Sequence, residues 1–430
     1  MGLIKKKVSL FGIIVFLCGF GFYLQRPPTI DIKINKLNYH NKGAKAVPYD
    51  VVRNNSIFVH SAFRVSDTEI RISLIRRHLS RTTLHYKLGD TRGKVVIQCA
   101  LDKCLDFFSK PCNMIGNIGI IKNDTLPDHN TLYLYVLSPD SKPWVSIDVK
   151  DVRVRPNHKY PHQLGVCVQP IYLHADYTLF INFFEFWLNQ GATKFYIYRE
   201  SYTAEVQEIL DFYEQRSNAS IELIDWSTLP YDDKVTENFN TRVYRLEMML
   251  SIFDCIHRAR SHVKFVAQTD LDEMVYVHSG ITVAQVVEKF VSKRPDTASI
   301  SFQSQRVAFE PEAIDSFTSP QTIQFSYLEN VQIENYVFPR PLYSKIIYRP
   351  ERVYRVHSHK QKPAELIPNS KKFSRYSNAI ISSTDAVILH MRLAINGHFR
   401  MEKHDDYKYA CKIRTSIHIF FPAQTTGLRI

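Results

Sequence analysis

The sequence lacks the glycine motifs with which the commonest nucleotide-dependent enzymes hold phosphate. No G-x-G-x-x-G follows a predicted strand and no G-x-x-x-x-G-K-[ST] occurs, which disfavours dinucleotide dehydrogenases and P-loop proteins. G-x-S-x-G and H-E-x-x-H are also missing, which disfavours serine hydrolases and zinc proteases. A nucleotide bound by this chain would therefore need another group, such as a metal ion, to balance its phosphate charge.

Glycine is scarce and internal repeats are absent. The 430 residues include 14 Gly against 27 Phe and 24 Tyr, and 45% of the chain is hydrophobic. This composition does not suit a fibrous or low-complexity polymer. It favours a globular α/β protein with one large core or two unequal cores.

Motifs for nucleic-acid binding are missing, although the formal net charge is +13. We find neither zinc-finger spacing nor an RNA-recognition motif, and beyond the N-terminus Lys and Arg occur only in short pairs. We therefore predict a solvated basic surface and no nucleic-acid partner. The same excess of positive charge would suit anionic lipid or the diphosphate of a donor substrate.

Residues 8–24 form an uncharged run that follows three lysines. Its length is at the short end of the roughly 17–25 residues that span a bilayer, and the lysines favour a cytosolic N-terminus. We predict a cytosolic tail over 1–7, a transmembrane signal anchor over 8–24 and a stem over 25–60. The protein would then be a single-pass type II protein of the Golgi or another secretory-pathway membrane. A cleaved signal peptide is the alternative, although no small-x-small site precedes Arg26.

Two further patterns fit a lumenal location for the remaining chain. Three N-glycosylation sequons begin at Asn54, Asn123 and Asn218. Six cysteines follow the apolar run, so an oxidising lumen would allow up to three disulfides, and the sequence leaves the pairing open. A zinc site is the competing interpretation, but no C-x₂-C or histidine-rich partner occurs. The six are Cys99, Cys104, Cys112, Cys167, Cys255 and Cys411.

The periodicity of the chain changes near residue 160. Over 61–160, alternating segments predict a small β-rich subdomain with strands at Lys94–Cys99, Thr131–Leu137 and Trp144–Arg155. Over 161–430, strands and helices alternate, which implies a mostly parallel sheet with right-handed crossovers.

The predicted elements of this second region form four β units. The strands are Val166–Ile171, Lys194–Tyr198, Ile221–Trp226 and His262–Gln268. The helices are Tyr177–Gln190, which ends before Gly191, Thr203–Gln215 and Thr241–Arg260. Ligands gather at the carboxyl ends of strands in such sheets, and the fourth strand leads directly into Asp270.

Asp270 and Asp272 are separated by one residue where a strand turns into a loop. Two carboxylates in this arrangement can bind one Mn²⁺ or Mg²⁺, which then has open positions for diphosphate oxygens. A lone D-x-D is a weak signal, because acidic residues are common in turns. Its position after the fourth βα unit strengthens the prediction.

Two later segments add candidate ligands. His390 follows a short apolar run and is a candidate third metal ligand, while Arg392 points the same way from a strand and is a candidate phosphate contact. A histidine satisfied within the core is the plainer interpretation of His390. Lys345 lies in a basic and aromatic cluster and is a candidate contact for diphosphate or acceptor.

Taken together and in order, these motifs resemble those of glycosyltransferase family 92. The resemblance extends from about Leu164 to His398. It rests on Cys167-Val168-Gln169-Pro170-Ile171-Tyr172, Gly191-Ala192-Thr193-Lys194-Phe195-Tyr196-Ile197-Tyr198, Asp254-Cys255, Asp270-Leu271-Asp272-Glu273, Lys345 to Pro350 and His390 to Arg392.

The resemblance implies a GT-A-type, Rossmann-like fold and an inverting, metal-dependent galactosyltransferase. The donor would be UDP-galactose with Mn²⁺ or Mg²⁺, and the acceptor a glycan. Asp270, Asp272 and His390 would hold the metal. We predict that the donor lies at the ends of the first, second and fourth strands, and its candidate contacts are Tyr172, Tyr198, Asp270, Lys345 and Arg392.

Inversion requires a base that removes the proton of the acceptor hydroxyl. The candidates are Glu273, Glu310, Glu312 and Asp315, although Glu273 would equally serve to orient a metal ligand. A noncatalytic lumenal lectin or assembly factor with the same fold is the alternative function. A metal-dependent phosphotransferase is a third possibility. The acceptor, the linkage and the oligomeric state are not specified by the sequence.

Overall fold

A computed structural model describes most of the chain between residues 57 and 393. The described residues are 38–39, 45–46, 57–101, 104, 112–136, 145–215, 219–226, 229, 239–243, 247–309, 331–368, 370 and 374–393. The predicted anchor over 8–24 lies outside these ranges. Within them, no helix is long and apolar enough to cross a membrane.

Several other predicted sites also lie outside the described residues. They are Asn54, Asn218, Glu310, Glu312, Asp315, Cys411 and the side chain of Arg392.

The first sheet has nine strands, and its neighbouring pairs run antiparallel except for β3 and β10. The strands of this part of the chain are β1 (Asn38–Tyr39), β2 (Lys45–Ala46), β3 (Ile57–Ser66), β4 (Glu69–Arg77), β5 (His85–Leu88), β6 (Thr91–Lys94), β7 (Val96–Cys99), β8 (Met114–Lys122), β9 (Thr131–Tyr135) and β10 (Val145–Asp151). Strand β1 pairs instead with β13 (Ser201–Tyr202).

Alternation explains why these segments form strands. In β10, Val145, Ile147 and Val149 are buried while the residues between them are exposed, so one face packs on a core and the other meets solvent. The predicted strands at Thr131–Leu137 and Trp144–Arg155 are confirmed as β9 and β10. The predicted strand at Lys94–Cys99 instead divides into the end of β6 and the whole of β7.

A seven-stranded sheet forms the centre of the second region. Its strands are β11 (His162–Ile171), β12 (Ala192–Arg199), β14 (Ser220–Asp225), β15 (Val263–Thr269), β17 (Thr297–Phe302), β20 (Lys345–Tyr348) and β21 (Ser377–Ile380). The order across the sheet is β14-β12-β11-β15-β20-β17-β21. The four predicted β units are confirmed as parallel neighbours, whereas β20 lies antiparallel between β15 and β17.

Four α-helices occur in the described residues, namely α1 (Tyr177–Asn189), α2 (Ala204–Glu214), α3 (Met248–Ala259) and α4 (Val283–Lys293), with short 3₁₀ turns at Phe239–Arg242 and Pro350–Arg352. Asp176 caps α1 by accepting from the Thr178 and Leu179 amides, and Gly191 follows it with φ of +88°. Helix α3 was predicted to begin at Thr241. It begins at Met248 because Glu247 has a left-handed backbone.

The two faces of the central sheet pack against different helices. On β12, Phe195 and Ile197 join the core that contains α1, α2 and α4, whereas Tyr196 and Tyr198 join the core that contains α3. The Cys167–Cys255 disulfide joins β11 to α3, with 6.1 Å between Cα atoms. A helix-flanked, mixed α/β architecture is therefore confirmed.

The first sheet contacts the second region through buried polar groups. The Asp254 carboxylate of α3 accepts hydrogen bonds from the hydroxyl of Ser73 at 3.2 Å and that of Tyr198 at 2.6 Å. The Arg258 guanidinium lies 2.9 Å from the same carboxylate. A subdomain boundary at residue 160 stays a prediction.

A small four-stranded sheet lies beside the carboxyl end of β15. Its strands are β16 (Glu273–Val277), β18 (Ser304–Phe309), β19 (Gln332–Ile333) and β22 (Ala386–Leu393), in the order β16-β22-β18-β19. Strand β16 follows β15 after a short turn, and β22 pairs with it in antiparallel register. This pairing places β22, the last strand of the described residues, next to the acidic turn.

Candidate active site

The acidic turn Asp270–Glu273 lies at the carboxyl ends of two neighbouring parallel strands, β11 and β15, where the connections between strands change direction across the sheet. Strand β11 has β12 on one side and β15 on the other, so the chain leaves β11 in one direction and returns on its other side. Open α/β sheets bind ligands at such a switch point, outside the carboxyl ends of the strands. Asp270 follows the carboxyl end of β15 directly.

The turn is held by its own hydrogen bonds. The Glu273 amide donates to the Asp270 carbonyl at 3.3 Å, and the Asp270 amide donates to Glu273 Oε2 at 3.1 Å. The Thr269 hydroxyl lies 3.2 Å from the Asp270 carbonyl. These bonds hold the backbone of Asp270 and the side chain of Glu273 in place.

Strand pairing brings His390 to this turn. His390 is opposite Glu273 in the β16–β22 register, and the Met391 amide donates to the Asp272 carbonyl at 2.8 Å. As a result, His390 Nε2 lies 3.2 Å from Asp272 Oδ2 and His390 Nδ1 lies 3.8 Å from Glu273 Oε1. His390, which the sequence associates with the acidic pair, therefore lies beside that pair in the structure.

Lys345 lies beneath the acidic turn. It is the first residue of β20, which pairs with β15, and its side chain is buried. Its Nζ is 2.8 Å from Asp270 Oδ2 and 3.0 Å from Glu273 Oε2. Burial alone would lower the pKa of Lys345, but the two carboxylates outweigh it and raise this pKa, so the ammonium stays charged.

Glu273 is enclosed more completely than its neighbours. Burial raises its pKa, and the ammonium of Lys345 opposes that shift. By contrast, the Asp270 and Asp272 side chains keep 29% and 30% exposure. The two aspartates are therefore the carboxyl groups that a ligand can reach, and Glu273 supports them from the interior.

Gln169, near the end of β11, contacts Asp270 through its side-chain amide, which donates to Asp270 Oδ1. Gln169 belongs to the Cys167–Tyr172 motif but is not among the predicted site residues. Its position could have indicated a role, because it lies two residues before the end of the first strand, and a switch point there sets the first strand beside the fourth.

Two histidines near the turn were also missed. His174 follows Leu173, whose φ is +47°, and its amide donates to the Ser201 carbonyl at 3.2 Å. Burial lowers the pKa of His174, against the opposing effect of Asp176 and Asp272. His359 Nδ1 lies 2.9 Å from the Ser344 carbonyl, and burial followed by Lys345 lowers its pKa. Both rings are therefore neutral near pH 7.

The donor types suit a hard or borderline divalent cation. Aspartate oxygens and an imidazole nitrogen are ligands that Mn²⁺ accepts, and Asp272 Oδ2 lies 3.2 Å from His390 Nε2. Asp270 is engaged by Lys345 and Gln169, so it would bind a cation only as those contacts shift. Among the described side chains, no group of three or more His, Cys, Asp or Glu is arranged to hold a metal.

The remaining predicted residues are distributed as follows. Tyr172 is partly buried just beyond the end of β11, whereas Tyr198 is fully buried and its hydroxyl donates to Asp254.

Asn123 is exposed after β8. Cys99 and Cys104 form a second disulfide, and Cys112 is also disulfide-bonded. Disulfide formation is thus confirmed.

The fold and the site define an α/β protein with an acidic, ligand-accessible turn at a switch point. The family model described as "Glycosyltransferase family 92" matches residues 162–416. The chain belongs to glycosyltransferase family 92, and it is therefore a transferase whose family acts with nucleotide sugars and glycan acceptors in general.

Other comparisons add little. No curated protein matches the chain significantly. One matching solved structure is the crystal structure of amylomaltase from Corynebacterium glutamicum, at 17% identity, a TM-score of 0.15 and coverage of 32% of this chain. The match covers 20% of the length of that amylomaltase chain, and at this TM-score the likeness carries no weight.

Proposed function

We propose that this protein is an inverting, metal-dependent glycosyltransferase with a GT-A-type catalytic domain that moves galactose from UDP-galactose to a glycan in the secretory pathway. The observation that carries the proposal is the convergence of Asp272 and His390, 3.2 Å apart, on a partly exposed acidic turn at the sheet's switch point. Family membership supports the transfer of a sugar. The proposal goes beyond family membership when it names galactose as the sugar, UDP as the nucleotide and a divalent metal ion.

In this scheme Asp272 and His390 hold Mn²⁺ or Mg²⁺ together with Asp270. The ion would stabilise the negative charge that develops on the departing nucleoside diphosphate. The turn carries the carboxyl groups of Asp270, Asp272 and Glu273, and the ammonium of Lys345 pairs with Asp270 and Glu273, so the negative charge of the turn would attract a further cation. His390 presents Nε2 to Asp272 while Nδ1 faces Glu273, which fixes the orientation of the imidazole ring.

The chain's own residues organise this site before any ligand binds. Lys345 pairs with Asp270 and Glu273, so two carboxyl groups of the turn surround its buried ammonium. Gln169 restrains the other oxygen of Asp270. When a diphosphate approaches Asp270, Lys345 and Arg392 supply positive charge to it, which would assist departure of the leaving group.

The base has to reach the acceptor hydroxyl. Glu273 is buried and paired with Lys345, so we assign it to positioning the ligands. Glu310, Glu312 and Asp315 remain the candidates for the base, since they follow β18 of the small sheet in sequence. One of them would accept the hydroxyl proton as the new glycosidic bond forms.

The proposed location is a Golgi or other secretory-pathway membrane, with a type II anchor over residues 8–24. The disulfides Cys99–Cys104 and Cys167–Cys255 support this part of the proposal, because disulfides persist in oxidising compartments. The membrane is then a partner through the anchor only, and the folded part faces the lumen.

Donor consumption by the full-length protein in detergent tests the proposal. With Mn²⁺ and UDP-galactose we expect slow release of UDP without acceptor and faster release with a glycan acceptor. Chelation of the metal should abolish both. Glycan binding without UDP release would favour the lectin alternative, and transfer of phosphate from the donor would favour a phosphotransferase.

A further inference from the structure

Exposed apolar side chains are concentrated on one segment next to the acidic turn. Ile333, Tyr336 and Leu342 are 51%, 53% and 49% exposed and lie within ten residues of one another. Isolated exposed apolar residues are ordinary, but a local concentration of them beside a candidate site indicates a binding surface.

An unbroken series of ring contacts connects this segment to the site. The ring centroids of Tyr336 and Phe338 are 5.1 Å apart, those of Phe338 and Tyr343 are 5.1 Å apart, and those of Tyr343 and His390 are 6.3 Å apart. Each pair meets edge to face, which is a favourable geometry for aromatic rings. We call Tyr336, Phe338 and Tyr343 the aromatic strip.

The backbone of the strip is attached to strand β18. Phe338 donates its amide to the Ser304 carbonyl at 2.8 Å, and Glu334 donates its amide to the Arg306 carbonyl at 2.9 Å. The Arg306 guanidinium lies 4.8 Å from the Phe338 ring and 5.5 Å from the Tyr343 ring. Tyr336, the outermost ring, is therefore presented on a fixed support.

Register places the strip on the side of His390 that faces away from the switch point. Arg306 of β18 is the parallel-register partner of His390 on β22, and the strip lies on the β18 and β19 side of that pair. The switch point, with Gln169 and Asp270, lies on the other side at the ends of β11 and β15. A donor at the switch point would thus face an acceptor arriving across the strip.

We infer that the aromatic strip binds a sugar ring of the acceptor glycan, with the C–H face of the pyranose packed on Tyr336. This inference rests on the proposed function. A sugar ring needs an apolar surface for its C–H face and polar groups for its hydroxyl rim. The segment offers both, because exposed Glu334 and Asn335 lie between Ile333 and Tyr336, and exposed Arg340 lies two residues before Leu342.

The test compares Tyr336→Ala and Tyr336→Phe with Tyr133→Ala, a control at an exposed tyrosine of β9 in the first sheet. For each full-length protein, donor hydrolysis without acceptor and transfer to an oligosaccharide are measured, together with binding to a glycan array. We expect Tyr336→Ala to lower the ratio of transfer to hydrolysis and the array signal by roughly three- to tenfold. Tyr336→Phe and Tyr133→Ala should retain both.

The two readouts separate the inference from the proposed function. A wild-type protein that consumes no donor but binds glycans through Tyr336 would refute the transferase proposal and support the strip. Hydrolysis by wild-type protein, with an unchanged transfer ratio and array signal in Tyr336→Ala, would overturn the strip and leave the transferase proposal standing.

Discussion

His390 Nε2 lies 3.2 Å from Asp272 Oδ2, although 118 residues separate the two in sequence. The antiparallel pairing of β16 with β22 creates this contact, since it sets His390 opposite Glu273. The contact joins a buried imidazole ring to a partly exposed carboxyl group. It fits a metal ligand as well as a histidine satisfied within the core, and the ligand role of His390 stays a prediction.

Replacement of this histidine tests that role. His390→Ala should lower transfer by roughly 10–100-fold, because loss of one ligand or its support weakens metal binding by that order. Water can replace one neutral ligand, so excess Mn²⁺ should restore part of the activity. Activity is measured over a Mn²⁺ titration, with exposed His129→Ala as the control. A titration curve that coincides with that of the wild type would remove His390 from the metal site.

Lys345 gives a prediction on stability and rate together. Lys345→Met leaves the Asp270 and Glu273 carboxylates without their cation, which should cost about 3–5 kcal/mol in the free energy of unfolding. If Lys345 also acts on the diphosphate, kcat should fall while the acceptor KM changes little. Arg392→Ala should alter the kinetics in the same direction.

A second substitution separates the two roles of Lys345. The double variant Lys345→Met/Glu273→Gln removes the buried unpaired charge on Glu273 and should recover much of the stability. We expect kcat to stay low in this variant. Recovery of kcat along with stability would mean that Lys345 serves only to neutralise Glu273.

The buried Asp254 predicts a pH dependence of stability. Burial alone would raise its pKa, but Arg258, followed by His60 and Ser61, outweighs burial and holds the pKa well below 3.8. A depressed carboxyl pKa contributes stability that is present above the unfolded-state pKa near 4 and is lost as the pH falls below it. Asp254→Asn should therefore lower stability at pH 7 and flatten its fall at acidic pH.

Thermal unfolding from pH 7 to pH 3 measures this effect. Asp148→Asn, at an exposed position on β10, is the matched control and should follow the wild-type curve. If Asp254→Asn were to lose stability on acidification as steeply as the wild type, the Asp254–Arg258 pair would not be the source of the acid sensitivity.

Asn123 allows the predicted topology to be tested. Its side chain is exposed just after β8, so a lumenal location should lead to glycosylation at this sequon. Asn123→Gln should increase mobility on a gel after expression in secretory cells, and protease should spare the C-terminal part in sealed microsomes. Digestion of that part without detergent would contradict the type II orientation.

The alternation of helices and strands could be predicted because each element has its own local hydrophobic periodicity. Phe195 and Tyr196 alternate between two cores, and the four β units followed from such patterns. Strand β20 was missed. All four of its residues are buried, so the segment shows no alternation, and its pairing with β15 joins positions far apart in sequence.

The acidic residues of the site could be predicted from the sequence, but several of the side chains that contact them could not. Asp270 and Asp272 stand out because a paired acid follows a predicted strand, whereas the Lys345–Glu273 pair depends on an antiparallel insertion that no local pattern reveals. Tyr198 shows the opposite case. It ends a strand at the expected edge, but alternation turns its side chain toward Asp254 and α3.

The most direct measurement is transfer from UDP-galactose by Asp272→Asn, made on the full-length protein with saturating Mn²⁺ and compared with Asp270→Asn and the Asp148→Asn control. An amide keeps the shape of a carboxylate but not its charge, so Asp272→Asn should fold with a near-wild-type melting temperature. Asp270→Asn should also fold, with a lower melting temperature, because the buried ammonium of Lys345 loses one of its two carboxylate partners. Each should lose transfer by about 100-fold or more, without rescue by excess Mn²⁺. Transfer at near-wild-type rates by folded Asp272→Asn and Asp270→Asn would contradict the account.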